Sequence, residues 1–175
     1  PDADMAFDRP TGLAADEEGN LYVSDTGNGM IRRITPEGLV TTAAAGLDEP
    51  MGLCWKDGVL YIAETGANRI LTLKNGTVSP LAGSGEDGME DGHVSQATFS
   101  GPQGVAVGDD GTVYVADTLN SALRRIRGGQ VETVTARDTS LADFGLISPS
   151  GLLLQENRLY ICDGFARKLF VLELD

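Results

Sequence analysis

Histidine is nearly missing from this chain: His93 is the single copy in 175 residues. Zinc sites draw on clustered His and Cys, and two cysteines, Cys54 and Cys162, do not make a cluster. No metal or other cofactor is expected. Basic residues are scarce as well, with 13 Lys and Arg against 26 Asp and Glu, for a net charge of −13. Such a field repels phosphate backbones. The densest basic groups, Arg32-Arg33, Arg124-Arg125-Arg127 and Arg167-Lys168, are scattered along the chain, so no nucleic-acid partner is expected. Apolar runs are short of the roughly 18 residues that a membrane helix needs, so no membrane span is expected. Helical periodicity is absent. There is no G-x-S-x-G elbow, and Gly83-Ser84-Gly85 is too short and lacks the Lys of a phosphate cradle.

What the chain has is repetition. Four prolines, at 10, 50, 102 and 149, each open a P-x-G corner followed by an apolar run and a carboxylate. Pro10-Thr11-Gly12-Leu13 leads to Leu21-Tyr22-Val23-Ser24-Asp25-Thr26-Gly27-Asn28. Pro50-Met51-Gly52-Leu53 leads to Leu60-Tyr61-Ile62-Ala63-Glu64-Thr65, with Asn68 close behind. Pro102-Gln103-Gly104-Val105 leads to Val113-Tyr114-Val115-Ala116-Asp117-Thr118-Leu119-Asn120. A worn copy runs from Pro149-Ser150-Gly151-Leu152 to Leu159-Tyr160-Ile161-Cys162-Asp163-Gly164. Repeats of this length form arrays in which each unit buries a face against the next. Cys54 and Cys162 replace small residues of the other copies, so both read as packed free thiols.

Each unit divides into four short strands. The first follows the corner (Gly12–Asp16, Gly52–Lys56, Gly104–Asp109, Gly151–Gln155). The second is the apolar run (Leu21–Ser24, Leu60–Ala63, Val113–Ala116, Leu159–Cys162). The third alternates apolar with polar residues (Met30–Thr35, Arg69–Lys74, Ala122–Arg127, Lys168–Glu173). Asn75-Gly76 and Gly128-Gly129 read as hairpin turns into a fourth, Thr-rich strand. Pro80 confines that strand to an edge. Four-stranded units repeated every 40 to 52 residues predict an all-β chain, a β-propeller. The units are placed at 10–46, 50–83, 102–136 and 149–175, with a long connector at 84–101.

The string P-x-G-[LV]-A … Y-V-A-D-T-x-N-x-x-[IL]-R resembles the NHL repeat, most closely from Pro102 to Arg124 and least from Pro149 to Leu169. The linker from Leu81 through Asp91-Gly92 to Pro102 resembles a connector of bacterial NHL proteins. The resemblance implies an NHL-type propeller; it does not fix an activity, because one fold carries many. Asp25, Glu64, Asp117 and Asp163, with Asn28, Asn68 and Asn120, read as framework residues that satisfy bare backbone N–H groups of tight loops. Positions facing the central channel are mostly Ala, Val, Leu and Cys. Trp55 stands out there, as a core filler or a ligand-facing residue. RNA-binding members present a basic face, whereas Arg32, Arg69 and Arg124 here lie in an acidic field. His93 reads as a solvated loop residue. Gly85–Gly92, whose four carboxylates miss calcium-loop spacing, reads as a mobile acidic loop.

The expected function is a non-enzymatic interaction or scaffold module of a bacterial extracellular or cell-surface protein, binding a protein or glycan through loops on one face. The alternative is part of a metal-dependent propeller hydrolase or lyase, lactonase-like or lyase-like, with catalytic residues partly outside this segment. The fourth unit ends after its third strand, and Pro1–Arg9 reads as the tail of an upstream connector, Phe7 standing before Pro10 as Phe99 stands before Pro102. A fragment or incomplete ring is therefore expected ahead of a closed four-bladed ring, with self-association through open blade edges.

Overall fold

The computed structural model describes residues 6–134 and 145–174. Pro1–Met5, the end of the third unit at 135–136 and Asp175, all used above, lie outside the described residues. The chain forms four antiparallel sheets in a four-bladed propeller arrangement. Blade 1 runs β1 (Pro10–Ala15), β2 (Leu21–Asp25), β3 (Met30–Ile34) and β4 (Val40–Ala45). Blade 2 runs β5 (Pro50–Lys56), β6 (Val59–Glu64), β7 (Arg69–Lys74) and β8 (Thr77–Ala82). After β9 (Gly92–His93), blade 3 runs β10 (Pro102–Val107), β11 (Val113–Asp117), β12 (Ala122–Arg127) and β13 (Gln130–Thr133). Blade 4 has three strands, β14 (Pro149–Gln155), β15 (Arg158–Asp163) and β16 (Lys168–Glu173). The only helical pieces among the described residues are single 3-10 turns at Thr26–Asn28 and Thr118–Asn120.

The proline corner belongs to the first strand and does not precede it. Pro10, Pro50, Pro102 and Pro149 each pair across to the carboxylate that ends the second strand. The register then shifts within the next three residues, a bulge that bends the strand as it enters the ring. Pro80 lies on β8, the outer edge of blade 2.

The connector is built into blade 3 and does not stand off as a loop. β9 pairs with β13 as a fifth strand, His93 opposite Gln130. Ala97 and Phe99 are fully buried between blades 2 and 3. The spacing of acidic residues in 85–92 conceals this, because the anchoring apolar residues come later in the segment.

Apolar side chains are concentrated between blades. Tyr22 and Ile31 meet Leu60, Ile62 and Leu71 across the first junction. Ala63 and Ile70 meet Val105, Val115 and Phe99 across the second. Leu123 and Tyr114 meet Leu159, Ile161 and Leu172 across the third. Each fully buried Leu, Ile, Val or Phe is worth about 1.5–3 kcal/mol.

Two polar devices repeat at each junction. Thr26, Thr65 and Thr118 donate their hydroxyls to the carbonyls of Pro50, Pro102 and Pro149, the opening residues of the next blade, at 2.6, 2.7 and 2.7 Å. Gly12, Gly52 and Gly104 lie so close to the next blade's carbonyls, those of Met51, Gln103 and Ser150, that a Cβ would overlap them. Both devices stop at blade 4. Gly164 takes the threonine position, and a Cβ on Gly151 would meet only Cys162 of its own blade, at 3.5 Å. The outer faces of the terminal blades expose Leu13 and Leu21 at one end and Leu153, Leu169 and Val171 at the other.

Candidate functional site

The propeller has two chemically different ends. One carries the loops between second and third strands together with the inter-blade connectors; the other carries the hairpin turns.

At the loop end sit the four repeated carboxylates, all buried. Asp25 accepts the Asp8 amide at 2.8 Å, Arg32 Nε at 3.0 Å and Asn28 Nδ2 at 3.0 Å. Glu64 accepts the Asp48 amide at 2.9 Å and pairs with Arg69. Asp117 accepts the Ser100 amide at 2.8 Å, Asn120 Nδ2 at 2.8 Å and Arg124 at 2.7 Å. Asp163 has no arginine and accepts the amides of Ile147, Ser148 and Ala166 instead. Each carboxylate thus ties the second strand of its blade to the segment just before that blade's proline.

Asn68 is not the equivalent of Asn28 and Asn120. It falls one position later, at φ 50, where the other copies have Gly29 and Ser121. Its Oδ1 accepts the Gly101 amide at 2.9 Å, joining blade 2 to the connector.

Burial works to raise the pKa of Asp25, but Asn28, the Asp8 amide and Arg32 outweigh it, and the carboxyl is held below its ordinary value. The amides around Asp163 do the same against burial. At Asp117 burial wins over Asn120, the Ser100 amide and Arg124, and the pKa rises. The connector explains the contrast, since it lies over the Asp117–Arg124 pair. Thr98 and Glu90 carbonyls and the Asp91 carboxylate all accept from Arg124, whose guanidinium also stacks 5.2 Å from the Phe99 ring centroid. Arg32, Arg69 and Arg124 are therefore engaged with motif carboxylates and form no basic face.

The first strands of all four blades line an axial channel. Its portion toward the turns holds about 410 Å³ and is walled by Leu13, Leu53, Trp55, Val105 and Leu152, with Lys56, Asp109 and Glu156 at the mouth. Lys56 pairs with Asp109 across the blade 2–3 junction. Cys54 is half-buried here, and burial pushes its thiol pKa up. Cys162 departs from expectation. It is exposed, because the face of blade 4 on which it lies has no neighbour among the described residues. Nowhere among the described residues do three or more His, Cys, Asp or Glu side chains gather to hold a metal ion. His93 is on the outer edge of blade 3, hydrogen-bonded through Nδ1 to Ser95 at 2.9 Å, and is not a channel residue.

At the turn end, Trp55 stacks on Tyr22 with ring centroids 5.2 Å apart and donates its indole N–H to Glu17 at 2.7 Å. It bridges blades 1 and 2 and also lines the channel. The sequence singles out Trp55 but not Tyr22 and Arg33, which share a groove with it. The signal lay in aligning third and fourth strands between repeats.

The family model of the NHL repeat matches residues 7–34 and 99–126, the motif-bearing parts of blades 1 and 3. The chicken (Gallus gallus) NHL repeat-containing protein 2 is 48% identical over 68 residues, 38% of this chain and 9% of that protein. A Bacteroides thetaiotaomicron structural-genomics protein of unknown function superposes with a TM-score of 0.79 at 20% identity, over 95% of this chain and 47% of its own. Virginiamycin B lyase from Staphylococcus aureus superposes with a TM-score of 0.65 at 20% identity, over 88% of this chain and 48% of its own. The chain thus spans about half of these solved structures and a small part of the curated relative. With the repeat motif matched at two positions and its sheets arranged as blades, the chain carries NHL repeats on a β-propeller fold.

Proposed function

We propose that the chain is a non-enzymatic interaction module, of a bacterial extracellular or cell-surface protein, that binds a protein or glycan partner through its hairpin-turn end. The observation that carries this reading is the contrast between the two ends. At the loop end the motif carboxylates bond to the chain's own amides and arginines. At the turn end, aromatic, cationic and amide side chains line grooves that open to solvent. Partner binding by loops on a rigid scaffold is a common division of labour. The test is a panel of purified glycans and proteins screened with the chain and two variants. Trp55→Ala with Lys56→Ala is expected to lose whatever the chain retains, and Asn28→Ala to keep it. The opposite pattern would refute the assignment of the binding end.

A second reading is part of a metal-dependent propeller hydrolase or lyase with catalytic residues partly outside this segment. The fold-level likeness to virginiamycin B lyase and the channel shared by four blades favour keeping it. Elemental analysis of purified protein separates the two, since stoichiometric calcium or zinc supports the second reading.

A further inference from the structure

We propose that the groove between blades 1 and 2 is a binding site for an acidic sugar, with Arg33 taking its carboxylate. The proposal rests on the reading of the turn end as the binding end and names the ligand class. The groove holds about 420 Å³ and is lined by Tyr22, Arg33, Thr41, Trp55 and Asn75, among others.

The repeats supply an internal control. The strand register places Arg33 opposite Tyr22 on one side and Thr41 on the other. In blade 3 the same positions are Arg125, Tyr114 and Glu132. There Arg125 pairs with Glu132 at 2.8 Å. In blade 1 a threonine replaces the carboxylate. Arg33 lies beside the Tyr22 hydroxyl, makes no ion pair among the described residues, and keeps a buried Nε without a hydrogen-bond partner. In blades 2 and 4 the position is Thr72 and Val171, so the arginine recurs only in blade 3, where it is ion-paired.

The nearby acids do not pair with Arg33: Asp16 holds Asn20 at 2.7 Å and accepts the Tyr22 hydroxyl at 3.4 Å, and Glu17 holds Trp55. A guanidinium left without its carboxylate is a fork for a planar carboxylate. The surroundings select the rest of the ligand. The half-buried Trp55, stacked on the buried Tyr22, gives an aromatic wall that suits the C–H face of a pyranose, and the exposed Thr41 and Asn75 side chains can exchange hydrogen bonds with hydroxyls. The volume fits one sugar residue and part of a second. A net charge of −13 disfavours long polyanions, so an isolated uronate in an otherwise neutral glycan fits best.

The test is calorimetric titration of the intact chain with methyl glucuronoside, methyl glucoside and benzoate, with thermal unfolding to verify each variant. Saturable binding of the glucuronoside alone is expected. Arg33→Gln should weaken it by at least about tenfold, the range for a hydrogen bond to a charged group. Thr41→Glu, which rebuilds the pair seen at Arg125 and Glu132, should abolish binding without unfolding the chain. Arg125→Gln should leave it unchanged. The proposal is overturned by no binding, by equal binding of the glucoside or benzoate, by unchanged affinity in both Arg33→Gln and Thr41→Glu, or by a site that takes only acidic peptides. If the glucuronoside fails while another partner still depends on Trp55 and Lys56, the interaction-module reading survives and this inference alone falls.

Discussion

The glycine of each P-x-G corner is where a single carbon atom decides whether two blades fit. A Cβ at Gly52 would overlap the Gln103 carbonyl of blade 3, whereas one at Gly151 meets nothing closer than 3.5 Å. Gly52→Ala is therefore expected to destabilise by about 1–3 kcal/mol through overpacking. Gly151→Ala, at the same repeat position, should sit within about 0.5 kcal/mol of the parent. Urea unfolding midpoints of the two variants check this contrast. The repeated carboxylates divide in a similar way. Asp25 is lowered from 3.8, so its stabilising contribution is present above that value and is lost as pH falls through the folded one. Asp117 is raised from 3.8, so its contribution runs the other way, falling as pH rises through the window between 3.8 and the folded value. Asp25→Asn should flatten the acid decline of the unfolding midpoint, and Asp117→Asn should steepen it. Parallel profiles for the two variants would contradict the burial contrast.

At the scale of the element, the connector carries more structure than its composition suggests. Phe99 is fully buried, packs against the second junction and lies under Arg124. Phe99→Ala is expected to cost about 3–5 kcal/mol. It should also free β9 from the edge of blade 3, read as faster amide exchange at Val94, whose N–H bonds to the Gly129 carbonyl at 3.0 Å. Strand identity was legible because Tyr, Val and Ile alternate against hairpin signals such as Asn75-Gly76. The third strands of blades 2 to 4 start and end where that alternation does. The proline corners were misjudged because proline reads as a strand breaker, whereas here a bulge accommodates it. β9 was missed because two residues carry no periodicity. The role of each threonine was hidden for another reason: its partner is the carbonyl of a proline 24 to 37 residues away, and a backbone acceptor leaves no trace in side-chain pattern. Arg33 was visible as a residue, but its missing partner shows only when the strand register aligns Thr41 with Glu132.

For the whole molecule, the junctions run in one direction, each blade's threonine and glycine engaging the next. Blade 4 has neither partner among the described residues, and both terminal faces expose leucines. The 175-residue chain is expected to self-associate, with sedimentation coefficients rising with concentration. Leu153→Asp with Leu169→Asp should restore a monomer. A parent chain that stays monomeric at high concentration would refute this. The same architecture underlies the central claim, that the repeated acids hold blades to connectors and do not hold a cation. Thermal unfolding in a chelator and then in excess calcium or zinc tests it most directly. A metal at 100 times its dissociation constant would add about 2.7 kcal/mol and raise the midpoint by several degrees. We predict the same midpoint in both conditions; a rise of that size, abolished by Asp25→Asn or Asp117→Asn, would contradict the account.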